Sequence, residues 1–341
     1  MSEAAALATT GLEIGYPGDG GSTTVASGLA LSLRAGQFAC LIGPNGAGKS
    51  TLLRTLAGLQ APLAGAITIA GRAVAAMSAA ELARSRALVL TDRAETGALR
   101  VGELVALGRY PHTGWLGRLG PQDHAAIDAA LRQTSVEELV QRPLAALSDG
   151  ERQRAAIARA LAQEPRVLML DEPTAFLDLP HRVRLMRLMR DLARAQGLAI
   201  LLSTHDLDLA MRCADQLWLM PGDGQLAVGA PEELALTGAL ADAFHGDGLR
   251  FDGQAGGFRL EQPHTASCRL TGDGEARDWT LRMLERLGYQ LASDTDTVID
   301  IQTSTEGTTW HLTRDGTETT VTDLTALAGQ LSGPGFRRRD H

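Results

Sequence analysis

Residues 1–40 alternate short apolar runs with glycine-rich turns. Leu12-Glu13-Ile14-Gly15-Tyr16 and Leu29-Ala30-Leu31-Ser32-Leu33 carry the period-two pattern of half-buried antiparallel strands. Phe38-Ala39-Cys40-Leu41-Ile42 has no polar alternation and leads straight into a glycine-rich loop, after which Ser50 to Leu59 predicts a helix. From about Met77 to Ala162 apolar residues recur at spacings of three and four, as in Ala125 to Leu131, and predict a mostly helical stretch. Val167-Leu168-Met169-Leu170 and Leu198-Ala199-Ile200-Leu201-Leu202 are apolar throughout, as parallel strands buried on both faces are. Strands of this kind separated by helices predict an α/β unit, ending near Phe244.

After Gly246 the composition shifts towards Thr, Gly and Asp. Strands are predicted near 257–261, 266–271, 297–302 and 308–313, with helices near 275–287 and 322–332. Trp279, Met283, Leu284 and Leu287 are expected on one face of the first helix. Together these form a small α+β domain over about 255–332. Residues 333–341, with Arg337-Arg338-Arg339, read as a disordered, solvated tail.

The chain has 341 residues, enough for two domains. A net charge of −8 opposes nucleic-acid binding, which usually needs a basic excess. Cys40, Cys213 and Cys268 match no metal spacing and read as buried apolar residues of a reducing compartment. No basic-then-apolar leader opens the sequence, and no apolar run reaches the ~20 residues that cross a bilayer. If this protein serves a membrane, another chain crosses it.

One count changes the picture. Of 32 lysines and arginines a single residue, Lys49, is lysine. It sits in Gly43-Pro44-Asn45-Gly46-Ala47-Gly48-Lys49-Ser50-Thr51, between an apolar strand and a helix. A compact ammonium suits a loop wrapped tightly on phosphates, where a planar guanidinium is too bulky. Backbone N–H groups of residues 46–51 would cradle a β-phosphate, and Ser50 would place its hydroxyl on Mg²⁺. Downstream, Arg166-Val-Leu-Met-Leu-Asp171-Glu172-Pro173-Thr174 ends an apolar strand in two carboxylates, at the edge where α/β folds bind ligands. Asp171 is suited to hold Mg²⁺ and Glu172 to polarise an attacking water.

Leu147-Ser148-Asp149-Gly150-Glu151-Arg152-Gln153-Arg154 completes the set. With it, residues 8–245 resemble the ATP-binding-cassette (ABC) ATPases, whose signature is usually Leu-Ser-Gly-Gly-Gln before a helix, here from about Glu151 to Ala162. The resemblance implies a RecA-like P-loop core with an antiparallel β subdomain and a helical subdomain at about 78–160. ATP and Mg²⁺ are the implied cofactors. It also implies a head-to-tail homodimer, in which Ser148, Asp149, Gly150 and Glu151 meet the nucleotide of the other subunit. Phe176-Leu177-Asp178 matches the loop that communicates across that dimer, Ser203-Thr204-His205-Asp206 carries the switch histidine, and Tyr16 matches the aromatic that stacks on adenine. Three positions depart from the pattern. Asp149 and Glu151 replace glycine and glutamine, and an extra carboxylate near a γ-phosphate is unfavourable. Asp149 must point away or be neutralised, for instance by an arginine that follows. In Ala87-Leu-Val-Leu-Thr91-Asp92-Arg93, Asp92 stands where the family has a glutamine; it could still meet Mg²⁺, or pair with Arg93.

A single cassette without a fused span, and with only about a hundred residues between Ser50 and Ser148, resembles the separate ATPase subunit of an importer. Val101-Gly-Glu-Leu-Val-Ala-Leu-Gly108-Arg109-Tyr110-Pro111-His112, followed by Trp115 and Leu116, is similar to a stretch of the iron-siderophore, haem and cobalamin importer ATPases near their permease contact. That resemblance implies membrane permease partners, an external substrate-binding protein, no nucleic acid, and a place on the cytoplasmic face of the membrane. The alternative is a soluble, non-transport ABC ATPase acting on a macromolecular complex. The domain at 255–332 lies outside the resemblance; it either stabilises the ATPase dimer or restrains hydrolysis when ligand is plentiful.

Overall fold

Apolar strands dictate the architecture of the first of two units, Met1–Phe258. The computed structural model describes residues 5–18, 21–90, 99–114, 117–175, 177–244, 249–252, 257–260, 263–305 and 307–332. Chain order begins with β1 (Ala5–Tyr16), β2 (Thr23–Leu29), β3 (Ser32–Arg34), β4 (Phe38–Ile42) and α1 (Lys49–Leu56). It continues through β5 (Ala64–Ile69), β6 (Arg72–Ala73), α2 (Ala79–Ser85), β7 (Arg86–Val89), α3 (Val101–Leu107), α4 (Pro121–Gln133) and α5 (Asp149–Ala162). β8 (Val167–Leu170), α6 (Leu179–Gln196), β9 (Ala199–Ser203), α7 (Leu207–Cys213), β10 (Gln216–Leu219), β11 (Ala227–Gly229), α8 (Pro231–Leu236) and α9 (Ala239–Ala243) follow.

The antiparallel sheet runs β2-β1-β5-β6, with β3 also on β1. The expected strand over 29–33 is broken at Ala30-Leu31, where the Thr9 hydroxyl donates to the Leu29 carbonyl and accepts the Leu31 N–H, and it resumes as β3 further along the same edge of β1. The second sheet runs β11-β10-β4-β9-β8-β7 and is parallel except for β11. Every residue of β4, β8 and β9 is buried. Their alternation divides two cores: Phe38, Cys40, Leu168 and Ile200 face one, and Ala39, Leu41, Met169 and Leu201 the other. Such two-sided burial follows from covering both faces of a parallel sheet, so nothing polar can sit mid-strand. β4, β9 and β8 therefore end together at one edge with their following loops, the usual ligand edge of an open α/β sheet.

The stretch from Met77 to Ala162 is less helical than its periodicity predicts. β7 lies inside it, pairing with β8 in parallel, and short 3₁₀ turns join the helices. Sequence spacing missed β7 because four apolar-rich residues fit either period. α3 and α4 pack on α5 through Val101, Val105, Ile127, Leu131 and Ile157, all buried. Gly108 lets α3 approach α5: a Cβ there would lie 2.1 Å from the Arg159 carbonyl oxygen. Arg109 is 4% exposed and pins this assembly through Asp123 (2.8 Å), Glu164 (2.6 Å) and the Ala162 carbonyl (2.7 Å). Cys40 and Cys268 are buried as expected, whereas Cys213, at the end of a surface helix, is only half-buried.

β12 (Leu249–Asp252) and β13 (Gly257–Leu260) precede the elements of the second unit, Arg259–His341. These are β14 (Ala266–Thr271), α10 (Gly274–Arg286), β15 (Tyr289–Leu291), β16 (Val298–Ser304), β17 (Gly307–Arg314), β18 (Thr317–Val321) and α11 (Leu324–Ser332). The sheet runs β15-β14-β16-β17-β18; β14 is parallel to both neighbours and the remaining pairs are antiparallel. β15 and β18, short or mostly exposed, were invisible to apolar spacing. Met283, Leu284, Leu327 and Leu331 bury the helices against Ile299, Trp310 and Leu312. Trp279 departs from expectation: it is 51% exposed, with the Arg282 guanidinium 4.9 Å above its ring. Thr280 takes the buried place instead, its hydroxyl accepting the Trp310 indole N–H at 2.8 Å. Residues 333–341 lie outside the described residues.

Candidate functional site: a phosphate loop and two ordered carboxylates

Gly43 ends β4 at φ 151°, where a Cβ would come within 2.1 Å of the Met220 carbonyl oxygen, so only glycine fits. The chain then curls through Pro44, Asn45, Gly46 and Ala47, with the Ala47 N–H donating to the Pro44 carbonyl. Gly48, at φ 103°, caps α1 without any side-chain acceptor. The first-turn amides of Lys49, Ser50 and Thr51 are thus left for an anion, which the helix dipole favours. Lys49 is buried, and its Nζ donates to the carbonyls of Gly43 and Pro44, each at 2.9 Å. Two of three ammonium protons brace the loop and one remains for a ligand. Burial lowers its pKa, while the nearby Glu172 and Asp171 carboxylates push in the opposite direction.

Across the sheet edge, Ser50 Oγ donates to Asp171 Oδ1 at 3.2 Å. A hydroxyl and a carboxylate converging this way form a hard-oxygen donor pair, the chemistry Mg²⁺ selects. Ser203, fully buried at the end of β9, organises both acidic residues. Its hydroxyl donates to Asp171 Oδ1 at 2.8 Å and accepts the Glu172 N–H at 2.8 Å. Glu172 has φ 48°, a left-handed conformation that costs a non-glycine residue of order 1–3 kcal/mol and clusters at functional sites. Its carboxylate meets His205 Nε2 at 2.6 Å. Thr204, beside them, shares a hydrogen bond with Thr174 at 3.3 Å. Tyr16 ends β1 with its hydroxyl 2.7 Å from Thr51 Oγ1 and its ring half-exposed at the rim of the loop. Sequence reasoning assigned Ser203 no role. The available signal was a lone hydroxyl closing an apolar strand.

Ser148 is the N-cap of α5. Its hydroxyl accepts the Glu151 N–H at 3.3 Å and donates to Glu151 Oε2 at 2.9 Å, while its own N–H reaches Glu151 Oε2 at 2.8 Å. This capping box needs an acceptor at residue 151, which glutamate supplies as well as glutamine. Those Ser148 bonds hold the Glu151 carboxyl below the usual range, and Arg142 lies 3.2 Å from Glu151 Oε1. Arg142, which precedes the signature, pairs with Glu151, and Arg154, which follows it, also helps to lower the pKa of that carboxyl. Asp149 is exposed in the first turn, where the helix dipole favours a negative charge. Gly150 is buried: a Cβ there would lie 3.0 Å from the His181 ring. Asp178 caps α6, accepting the His181 N–H at 3.1 Å and contacting His181 Nδ1; these bonds lower its pKa. Ser148 and Glu151 bond to each other and to Arg142, not to the phosphate loop. Asp92, Trp115, Leu116 and Phe176 lie outside the described residues.

Residues 26–175 match the family described as ABC transporter, and residues 265–332 match the iron ABC transporter C-terminal domain. The chain is 40% identical over 242 residues to the achromobactin transport ATP-binding protein CbrD of Dickeya dadantii strain 3937, covering 71% of this chain and 88% of that one. The chain belongs to the ABC transporter ATP-binding family. It is also 38% identical over 235 residues to the ferric enterobactin transport ATP-binding protein FepC of Escherichia coli strain K12, covering 69% and 85%. Among solved structures, cbiO1 of Clostridium perfringens, part of the ABC transporter complex cbiONQ, superposes with a TM-score of 0.60 at 28% identity, over 70% of this chain and 93% of that one. Members of this family bind nucleotide and hydrolyse ATP to power transport, and this chain is one of its ATPases. Among the described residues no helix is long and apolar enough to cross a membrane.

Proposed function

We propose that this ABC ATPase energises an importer of an iron-siderophore, haem or cobalamin-type metal chelate, moved through a separate permease. The observation that carries this reading is the iron-transporter C-terminal domain at 265–332, joined to a cassette whose relatives include achromobactin and ferric enterobactin transport proteins. The cassette proper spans 8–245, with its helical subdomain at about 78–160 and the accessory domain at 255–332. The phosphate loop at 43–51 holds ATP, with Tyr16 stacking at the base. Ser50 and Asp171 would hold Mg²⁺, which neutralises phosphate charge when bound. Glu172 accepts a proton from the attacking water, and His205, 2.6 Å away, fixes the carboxylate. By its place in the family's sequence pattern, Asp92 is a further candidate contact for Mg²⁺.

Two copies would pair head to tail, each offering the α5 N-terminus with Ser148 and Gly150 to the other's γ-phosphate, and Asp178 to the shared interface. Closure on ATP and reopening after hydrolysis would drive permease subunits at the cytoplasmic face of the membrane, fed by an external binding protein. Arg109 and His112 hold the helical subdomain together, His112 through the Gln163 carbonyl at 2.9 Å, whereas Tyr110 is 77% exposed and free to meet a permease. The test is co-purification of the full chain from its native membranes in mild detergent with ATP. A stoichiometric polytopic permease is the expected partner; ribosomal or nucleoid proteins and no permease would overturn the reading.

A further inference from the structure

A cavity of about 330 Å³ opens between α5 and α6, away from the phosphate loop. Its apolar wall comes from Leu177, Leu185 and Leu188, and its polar wall carries the Arg154 and Arg184 cations beside Gln133, Ser135, Gln153 and His181. Gln153 Nε2 and Arg154 Nε are buried without a hydrogen-bond partner. Native structures rarely leave buried donors unmatched. Among the described residues neither Arg154 nor Arg184 is in an ion pair. Arg154 and Arg184 help to lower the pKa values of Glu151 and Asp178, but those carboxylates are bonded to Ser148 and Arg142 and to His181. The volume falls in the range of small-molecule sites, which are mostly apolar with a few convergent polar groups.

We propose that this cavity is a binding site for a small organic anion, one with a carboxylate, sulfonate or phosphate head on an apolar body. The head meets the Gln153 amide and the Arg154 and Arg184 guanidinium groups, for which a planar, multi-donor cation suits better than an ammonium. The body packs on Leu185 and Leu188. An occupant would bridge α5, which carries the signature, and α6, which Asp178 caps. His181 is shared by both, since it touches Asp178 and lies against Gly150.

The experiment uses the full chain with saturating ADP and Mg²⁺, so that the phosphate loop is closed to other anions. Naphthalene-1-sulfonate is titrated calorimetrically, with neutral 1-naphthol as the control. Binding at one site per chain is expected, with 1-naphthol at least tenfold weaker. Gln153→Glu, which turns a donor into a like charge at unchanged size, weakens the sulfonate at least tenfold and leaves 1-naphthol unaffected. Arg184→Gln, at an exposed position, does the same and covers the case in which the buried substitution disturbs folding. No stoichiometric sulfonate binding, equal binding of the neutral ring, or wild-type affinity in both variants would each overturn the proposal.

Discussion

Ser203→Ala isolates the residue on which the geometry of both carboxylates depends. The hydroxyl is fully buried and makes two hydrogen bonds of 2.8 Å, one to Asp171 Oδ1 and one from the Glu172 N–H. Truncation leaves the Glu172 N–H unmatched in a dry environment, a penalty of about 1–3 kcal/mol. That same N–H bond helps hold Glu172 at φ 48°. Without it the strained conformation relaxes by an amount of the same order, and the carboxylate drifts from the position that His205 fixes. At 1.36 kcal/mol per decade, a loss of this size in the transition state predicts a kcat about 5–150-fold lower. KM for ATP should change little, because Lys49 and the loop amides are untouched. Steady-state ATPase assays across a Mg²⁺ titration provide the readout, with the thermal midpoint and nucleotide binding as folding controls. A variant that folds, binds ATP and turns over at the wild-type rate would refute the positioning role of Ser203.

Glu172→Gln should bind nucleotide normally and lower kcat roughly 10²–10⁴-fold, the usual share of general-base catalysis; wild-type turnover would remove Glu172 from the chemistry. Acid stability should depend on Asp123, whose carboxyl is held below its ordinary range by the Gly120 N–H and then by Arg109. A depressed folded-state pKa means the stabilisation is complete above the unfolded value near 3.9 and fades as pH falls through the folded value. Thermal midpoints of the wild type and Asp123→Asn, compared from pH 5 to pH 2, should therefore converge towards the acid end; a constant gap would contradict this.

The glycine loop around Lys49, the acidic strand end, the helix start at Ser148 and the residues around His205 could be read from the sequence because each is a local run of residues that local geometry dictates. Gly43 and Gly48 need positive φ, Lys49 must lie six residues beyond the carbonyl it braces, and Asp171 must end an apolar strand. Buried strands were legible for the same reason, since two-sided burial leaves no polar residue in β4 or β8 and only the terminal Ser203 in β9. β7 was not, because a four-residue apolar run fits helix and strand alike. Its strand state comes from pairing with β8, some eighty positions away in the chain. Trp279 was misplaced because hydrophobicity alone assigned it to the core, whereas the Thr280–Trp310 hydrogen bond decides which side of α10 faces inward. The pairing of Glu151 likewise required the fold: Arg142 reaches it only because the turn before α5 brings residue 142 back over the capping box. Ser203 is the sharpest case. The sequence contains a serine after five apolar residues, but its two partners lie about thirty positions upstream, just past the end of a neighbouring strand. Only parallel pairing of β8 and β9 sets one hydroxyl between two carboxyl-bearing residues.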